Sequence, residues 1–213
     1  MSLREHNIKL LSELKDKIIE HNLSSPLLVS SNKSYLDGLK QNKSIFYIGQ
    51  ETNGWCHSLD VNDLEETYYN FLMNNNYNKE FWRFLKNIRG NDSNSFSNVL
   101  WSNALICGKK DEIGAPTISD QIMDVSLDNL KYLYNLIKPD MTIIVSGPTN
   151  PYYEIITEFL KHINSSLSGL YPKSNEILLT DSENNVHYTY HPNYLNRKGK
   201  FLEISKELNK YTK

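Results

Sequence analysis

The chain has 213 residues, 39% of them apolar and 23% charged, with a formal net charge of −2. That length can bury a proper core, that composition fits a globular protein, and that charge argues against nonspecific coating of nucleic acid while allowing a local basic patch. Cys56 and Cys107 are the only cysteines, too few for a Cys-rich zinc or iron–sulfur site; with no signal-peptide pattern and no apolar run long enough for a bilayer, free thiols, a cytoplasmic location and no membrane partner are expected.

Along the chain, Leu3 to His21 carries apolar residues at Leu3, Leu10, Leu11, Leu14, Ile18 and Ile19, a helical stripe with charges opposite. Ser44–Gln50 reads as the first strand, and Gly49 stops its apolar run. Asn62 or Asp63 then caps a helix through Leu72, and Phe81, Trp82, Leu85 and Ile88 mark another that Gly90 ends. The second strand runs from Val99 to about Ile106. A helical face at Leu127, Leu130, Leu133, Tyr134 and Ile137 stops at Pro139, and "MTIIVSGP" is the third strand. Pro151 suits the first turn of a helix carrying Ile155, Ile156, Phe159, Leu160 and Ile163. "EILLT" and "VHYTY" flank "DSENN", a hairpin pattern, and a last helix carries Phe201, Ile204 and Leu208.

Strands alternating with helices predict a three-layer α/β/α sandwich around a central, mostly parallel four-stranded sheet. One domain over 1–213 is expected, with a helical N-terminal region over 1–43 and an α/β core over 44–213. Each strand empties into a polar or turn-forming cluster: "GQETNGW", "SNALICG", "SGPTNP" and "HPNYLNR". Right-handed crossovers put the ends of parallel strands on one edge of a sheet, where open α/β folds bind ligands. Glu51, Asn103, Ser146 and His191 are therefore expected around one pocket. Taken singly, each has a plainer reading. Glu51 is a turn residue or a catalyst, Asn103 a structural amide or a ligand reader, and His191 a strand cap or a hydrogen-bond donor. Trp55, Trp82 and Trp101 read as core or rim aromatics.

The order of these clusters resembles the uracil-DNA glycosylase superfamily. "YIGQETNGW" resembles its first motif, a Gly-Gln pair before an acidic residue, and "TYHPNYLNR" resembles its late His-Pro motif. "WSNALIC" has an asparagine four residues before a cysteine, as in the iron–sulfur branch, and "KPDMTIIVSGP" is similar to the family's third strand. The likeness covers most of the chain from about Ser44 to Arg197. It departs from that branch in having two cysteines rather than four ligands, so no cluster is expected. No phenylalanine falls in place after the first motif, and Trp55 is the candidate aromatic to stack on a base.

The resemblance implies a DNA partner carrying a damaged base, most readily uracil, flipped into the pocket and excised without metal or organic cofactor. Glu51 and His191 take the catalytic roles. His191 would stabilise charge growing on the base, and Glu51 would stabilise the sugar cation and orient or deprotonate water. Asn103 would read the base, supported by Gln50, Asn53 and Trp55. Its amide matches the N3–H and O4 of uracil only while neighbours stop it flipping, since the flipped amide suits cytosine. Arg197, Lys198 and Ser146 would hold phosphates. Two other readings remain open: a catalytically silent nucleobase- or nucleic-acid-binding module, and a hydrolase of small nucleosides or nucleotides. The acidic run Asp60, Asp63, Glu65 and Glu66 mildly disfavours DNA, unless it serves a helix N-terminus.

Overall fold

The apolar run after Ser44 becomes an inner strand of a five-stranded sheet. The computed structural model describes residues 1–52, 55–74, 79–90, 96–112, 114–117 and 120–212. In chain order these form α1 (Leu3–Glu20), α2 (Lys33–Gln41), β1 (Ile45–Gly49), α3 (Val61–Asn74), α4 (Glu80–Arg89), β2 (Val99–Asn103) and α5 (Asp120–Ile137). There follow β3 (Met141–Ile144), α6 (Tyr152–His162), β4 (Leu178–Asp181), β5 (Val186–Thr189), α7 (Pro192–Arg197) and α8 (Phe201–Asn209).

The strand order is β2-β1-β3-β5-β4. β2, β1, β3 and β5 are mutually parallel, and β4 pairs antiparallel with β5. The expected four strands are thus five, because the "DSENN" turn makes β4 a separate edge strand. Asp181 shapes that turn by accepting from the Asn184 backbone N–H and from its side-chain amide. The four parallel strands are buried throughout, as strands covered on both faces must be, whereas β4 alternates between half-buried and buried.

Successive residues of a strand point to opposite faces. Phe46 meets Phe159 of α6, which in turn meets Tyr134 of α5. Its neighbour Tyr47 meets Phe81 and Trp82 of α4. Helices therefore cover both faces: α5 and α6 pack together on one, while α4 packs with α7 and α8 on the other. α1 opens with a capping box between Ser2 and Glu5, and its Leu10, Leu11, Leu14 and Ile18 close a small second core.

Several boundaries differ from expectation for identifiable reasons. α3 begins at Val61 because the Asp60 carboxylate accepts from the N–H groups of Asn62 and Asp63, 2.7 and 3.3 Å away. β2 ends at Asn103, not Ile106, as the chain turns away. Pro151 stands just before α6 as its N-cap instead of inside the first turn. Two short helices, α2 and α7, form where the sequence shows little periodicity; each buries only two residues.

Candidate functional site

Register brings the polar strand ends together. Gly49 lies beside Asn103, and Ile144 lies level with both Ile48 and Tyr188. Beyond the strands, Leu105 N–H donates to Gln50 O at 2.8 Å and Val145 N–H to Ile48 O at 2.8 Å. The Gln50 side chain donates its Nε2 to Ser146 O at 2.6 Å, tying the end of β1 to the end of β3. Glu51, Asn103 and His191 thus leave the sheet on its C-terminal edge, the ligand edge of such folds.

Asn103 is 2% exposed, so its amide needs partners inside the protein. Its Oδ1 accepts from the Trp101 indole Nε1–H at 3.3 Å, while its Nδ2 has no hydrogen-bond partner among the described residues. An indole nitrogen only donates, so this contact identifies the oxygen and fixes which way the amide faces. The consequence is a buried NH₂ held ready to donate, with one Oδ1 lone pair still available. Leaving such a donor unpaired costs about 1–3 kcal/mol. Gly49 makes room for the amide oxygen. A Cβ there would lie 2.4 Å from Asn103 Oδ1 and 3.0 Å from Phe81 Cε2.

Phe81 is the site residue that the sequence reading missed. It stands in the first turn of α4, half-buried, with its carbonyl accepting from the Tyr47 hydroxyl at 2.9 Å. Its ring lies close to parallel with that of His191, centroids 5.8 Å apart. One planar side chain therefore bridges the Gly49–Asn103 end and the His191 end. The expected aromatic, Trp55, is instead a core residue: it is buried and meets Phe71 and Trp101 edge-on. The only early signal for Phe81 was an apolar residue at the exposed start of an amphipathic helix.

His191 is the N-cap of α7, and its Nδ1 accepts from Asn193 N–H at 3.2 Å. The ring proton of the neutral form must then sit on Nε2. Burial pushes the imidazole down to about 4, helped by the Arg197 charge and partly opposed by Glu80. At neutral pH His191 is an uncharged N–H donor.

Glu51 is half-buried, and its carboxylate accepts from the hydroxyl of Tyr152 at the start of α6. Burial raises the Glu51 carboxyl above its ordinary value, and the Tyr152 hydrogen bond pulls part of that shift back. Burial, and after it the same contact, pushes the Tyr152 phenol well up, so it stays a donor. The loop carrying Glu51 is anchored below: Thr52 Oγ1 and Ser24 Oγ are 2.8 Å apart, and Gly108 N–H donates to Ser24 Oγ at 2.9 Å. Backbone and backbone touch there, since a Cβ on Gly108 would fall 1.8 Å from Thr52 O.

Arg197 and Lys198 are exposed at the end of α7, with Lys198 Nζ 5.7 Å above the Tyr194 ring. Ser146 does not suit a phosphate: it is fully buried, its hydroxyl turned toward Gly147 O and its carbonyl used by Gln50. Asn53 lies outside the described residues. Three of the four residues of the acidic run serve the fold. Asp60 caps α3, Asp63 accepts from Ser58, and buried Glu65 accepts from Asn7 and Ser31 beside Arg4. Cys56 and Cys107 are free thiols, and among the described residues no group of three His, Cys, Asp or Glu side chains is placed to hold a metal. Nor is any described helix long and apolar enough to cross a membrane.

Compared with known family models, curated proteins and solved structures, the chain gives no match. What the edge offers is therefore read from its chemistry. It combines an oriented amide that can donate and accept, a planar ring, a neutral N–H donor and a carboxylate with a raised pKa.

Proposed function

We propose that the chain is a DNA glycosylase of the uracil-DNA glycosylase kind, hydrolysing the bond between a damaged base, most readily uracil, and its sugar. The single observation that carries this reading is the buried Asn103 amide, oriented by Trp101 and lacking a protein partner for its NH₂. Uracil presents O4 as an acceptor and N3–H as a donor, the complement of Nδ2–H and the remaining Oδ1 lone pair. Phe81, absent from the sequence motifs, is the ring on which the extruded base would stack.

Hydrolysis breaks the C1′–N1 bond, with both electrons passing to the base and water supplying the new C1′–O bond. Negative charge grows on the uracil O2 side, where the Nε2–H of a neutral histidine can donate to it. Burial keeps that donor uncharged at neutral pH. Glu51 faces the sugar as a carboxylate, favouring its positive charge and accepting a proton from the attacking water. Tyr152 holds that carboxylate in one orientation.

Incubating the protein with oligonucleotides carrying one uracil, hypoxanthine or mismatched thymine, followed by alkaline cleavage at abasic sites, tests the reading. Strand scission at uracil is expected, with Asn103→Ala losing at least about fivefold in base-dependent binding, the lower end of one bidentate contact. Base-dependent binding without scission would make the protein a silent binder. Neither binding nor scission at any base would overturn the proposal.

A further inference from the structure

Next to His191 lies a second cluster that the candidate site does not use. Tyr190 and Tyr194 stack on each other with ring centroids 4.3 Å apart. The Tyr190 hydroxyl donates to Pro172 O at 2.9 Å, tying the loop around Tyr171 to the same edge of the sheet. Tyr171 itself is 42% exposed and meets Tyr153 edge-on. Neither Tyr171 nor Tyr194 belongs to an apolar core. Cations stand over both rings: Lys198 Nζ is 5.7 Å from the Tyr194 centroid and Lys173 Nζ 5.6 Å from that of Tyr171. Arg197 is exposed on the turn that carries Lys198.

We propose that this surface is a platform for single-stranded DNA running into the pocket. Unpaired bases would stack on Tyr171 and Tyr194, while Lys173, Arg197 and Lys198 hold the backbone phosphates between them. The proposal deepens the glycosylase reading by naming its substrate as a single strand. Ring faces decide the point. A duplex hides the faces of its bases and shows only edges and phosphates, so the rings of Tyr171 and Tyr194 gain nothing from it. An unpaired strand offers a π-face at every nucleotide and a phosphate beside it, matching rings that alternate with cations. The lysines now resting over the rings can swing to phosphates when a base takes their place. A strand already unpaired also spares the enzyme the cost of opening a base pair before extruding the target.

The test uses undamaged, fluorescein-labelled oligothymidine, its duplex with oligoadenine, and an RNA of matching length, titrated with full-length protein by anisotropy. Single-stranded DNA is expected to bind tightest. Tyr171→Ala and Tyr194→Ala should each weaken it by about 5- to 100-fold, the usual loss for one stacked base. Tyr→Phe at either position keeps the ring and should retain affinity, separating stacking from hydroxyl or folding effects. Lys173→Ala and Lys198→Ala should each flatten the salt dependence by about 0.7 in slope. Binding of this undamaged strand is measured without excision, so a failed excision assay would sink the glycosylase reading without touching the platform. Tighter binding to duplex or RNA, or wild-type affinity in Tyr171→Ala and Tyr194→Ala, would overturn the platform alone.

Discussion

Replacing Gly49 by alanine places one methyl group where the candidate site is tightest. The added carbon would lie 2.4 Å from Asn103 Oδ1 and 3.0 and 3.1 Å from two carbons of the Phe81 ring, against a floor of 3.0 Å that real Cβ contacts respect. The amide must therefore retreat by more than half an ångström, which disturbs its bond to Trp101. The fold should tolerate this. Gly49 ends a regular strand and is not among the residues of positive φ, so alanine is compatible with its backbone. Crowding of this kind costs about 1–3 kcal/mol, partly offset by the ~0.5–1 kcal/mol that alanine gains over glycine within a strand. Function should suffer more, because a displacement near 1 Å at a reacting site can cost about 100-fold in rate. Urea denaturation would measure the first effect and single-turnover excision of uracil the second. The Asn103 side-chain amide resonances in a ¹⁵N spectrum should also move, whatever the substrate. Wild-type excision together with unmoved amide resonances would refute the steric reasoning.

Trp101→Phe removes the N–H that orients Asn103; preference for uracil over cytosine in competition binding should relax by about 2- to 10-fold, the worth of one hydrogen bond. Glu51→Gln keeps the shape but loses the charge, and its single-turnover excision should fall by at least about 100-fold with an unchanged Tm. Excision should rise with pH through the raised Glu51 pKa without an alkaline decline from His191, which is already neutral there; in Tyr152→Phe the rising limb should move to higher pH, since the hydrogen bond that lowers the Glu51 pKa is gone. Burial pushes His187, like His191, from an ordinary 6.5 down to about 4, so the unfolded chain takes up protons across that window and the folded chain does not. Stability should be full above pH 6.5 and fall toward pH 4, by up to about 1.4 kcal/mol per unit per group, and urea midpoints that stay flat between pH 7 and 5 would contradict this.

The sheet was legible because its parallel strands are short, mostly apolar, buried runs that stop abruptly. "IFYIG" can only be satisfied with both faces covered, and that same burial makes the polar residues just beyond it conspicuous. Glu51, Asn103 and His191 could therefore be placed on one edge before any coordinates. Phe81 could not, because it reaches the edge from the start of a helix and its position depends on how α4 crosses β1. Sequence proximity misled the choice of Trp55, which follows the first motif yet turns into the aromatic row of Phe71 and Trp101. Ser146 failed for a related reason: it follows a strand closely enough to remain inside the sheet layer, fully buried. Tyr152 gave no signal at all, since its role depends on a carboxylate 101 residues earlier in the chain.

An unpaired buried group is not by itself a site, and this chain shows the difference. Asn129 also has its Oδ1 held, by His6, and an Nδ2 without a partner, yet it lies between α1 and α5 with only helix packing around it. Glu65, buried to a similar degree, is fully answered by Asn7, Ser31 and Arg4. Asn103 differs from both in where it sits. Its amide oxygen packs over Gly49 beside the Phe81 ring, and a glutamate after β1 and a histidine after β5 leave the same edge of the sheet. Burial there acts on every member in one direction. It keeps the histidine neutral, makes the carboxylate a stronger base and leaves the amide without water to bond. In the fold alone each of these is a cost. Together they become complementary only to a partner that brings an acceptor, a donor and a flat face to this edge of the sheet.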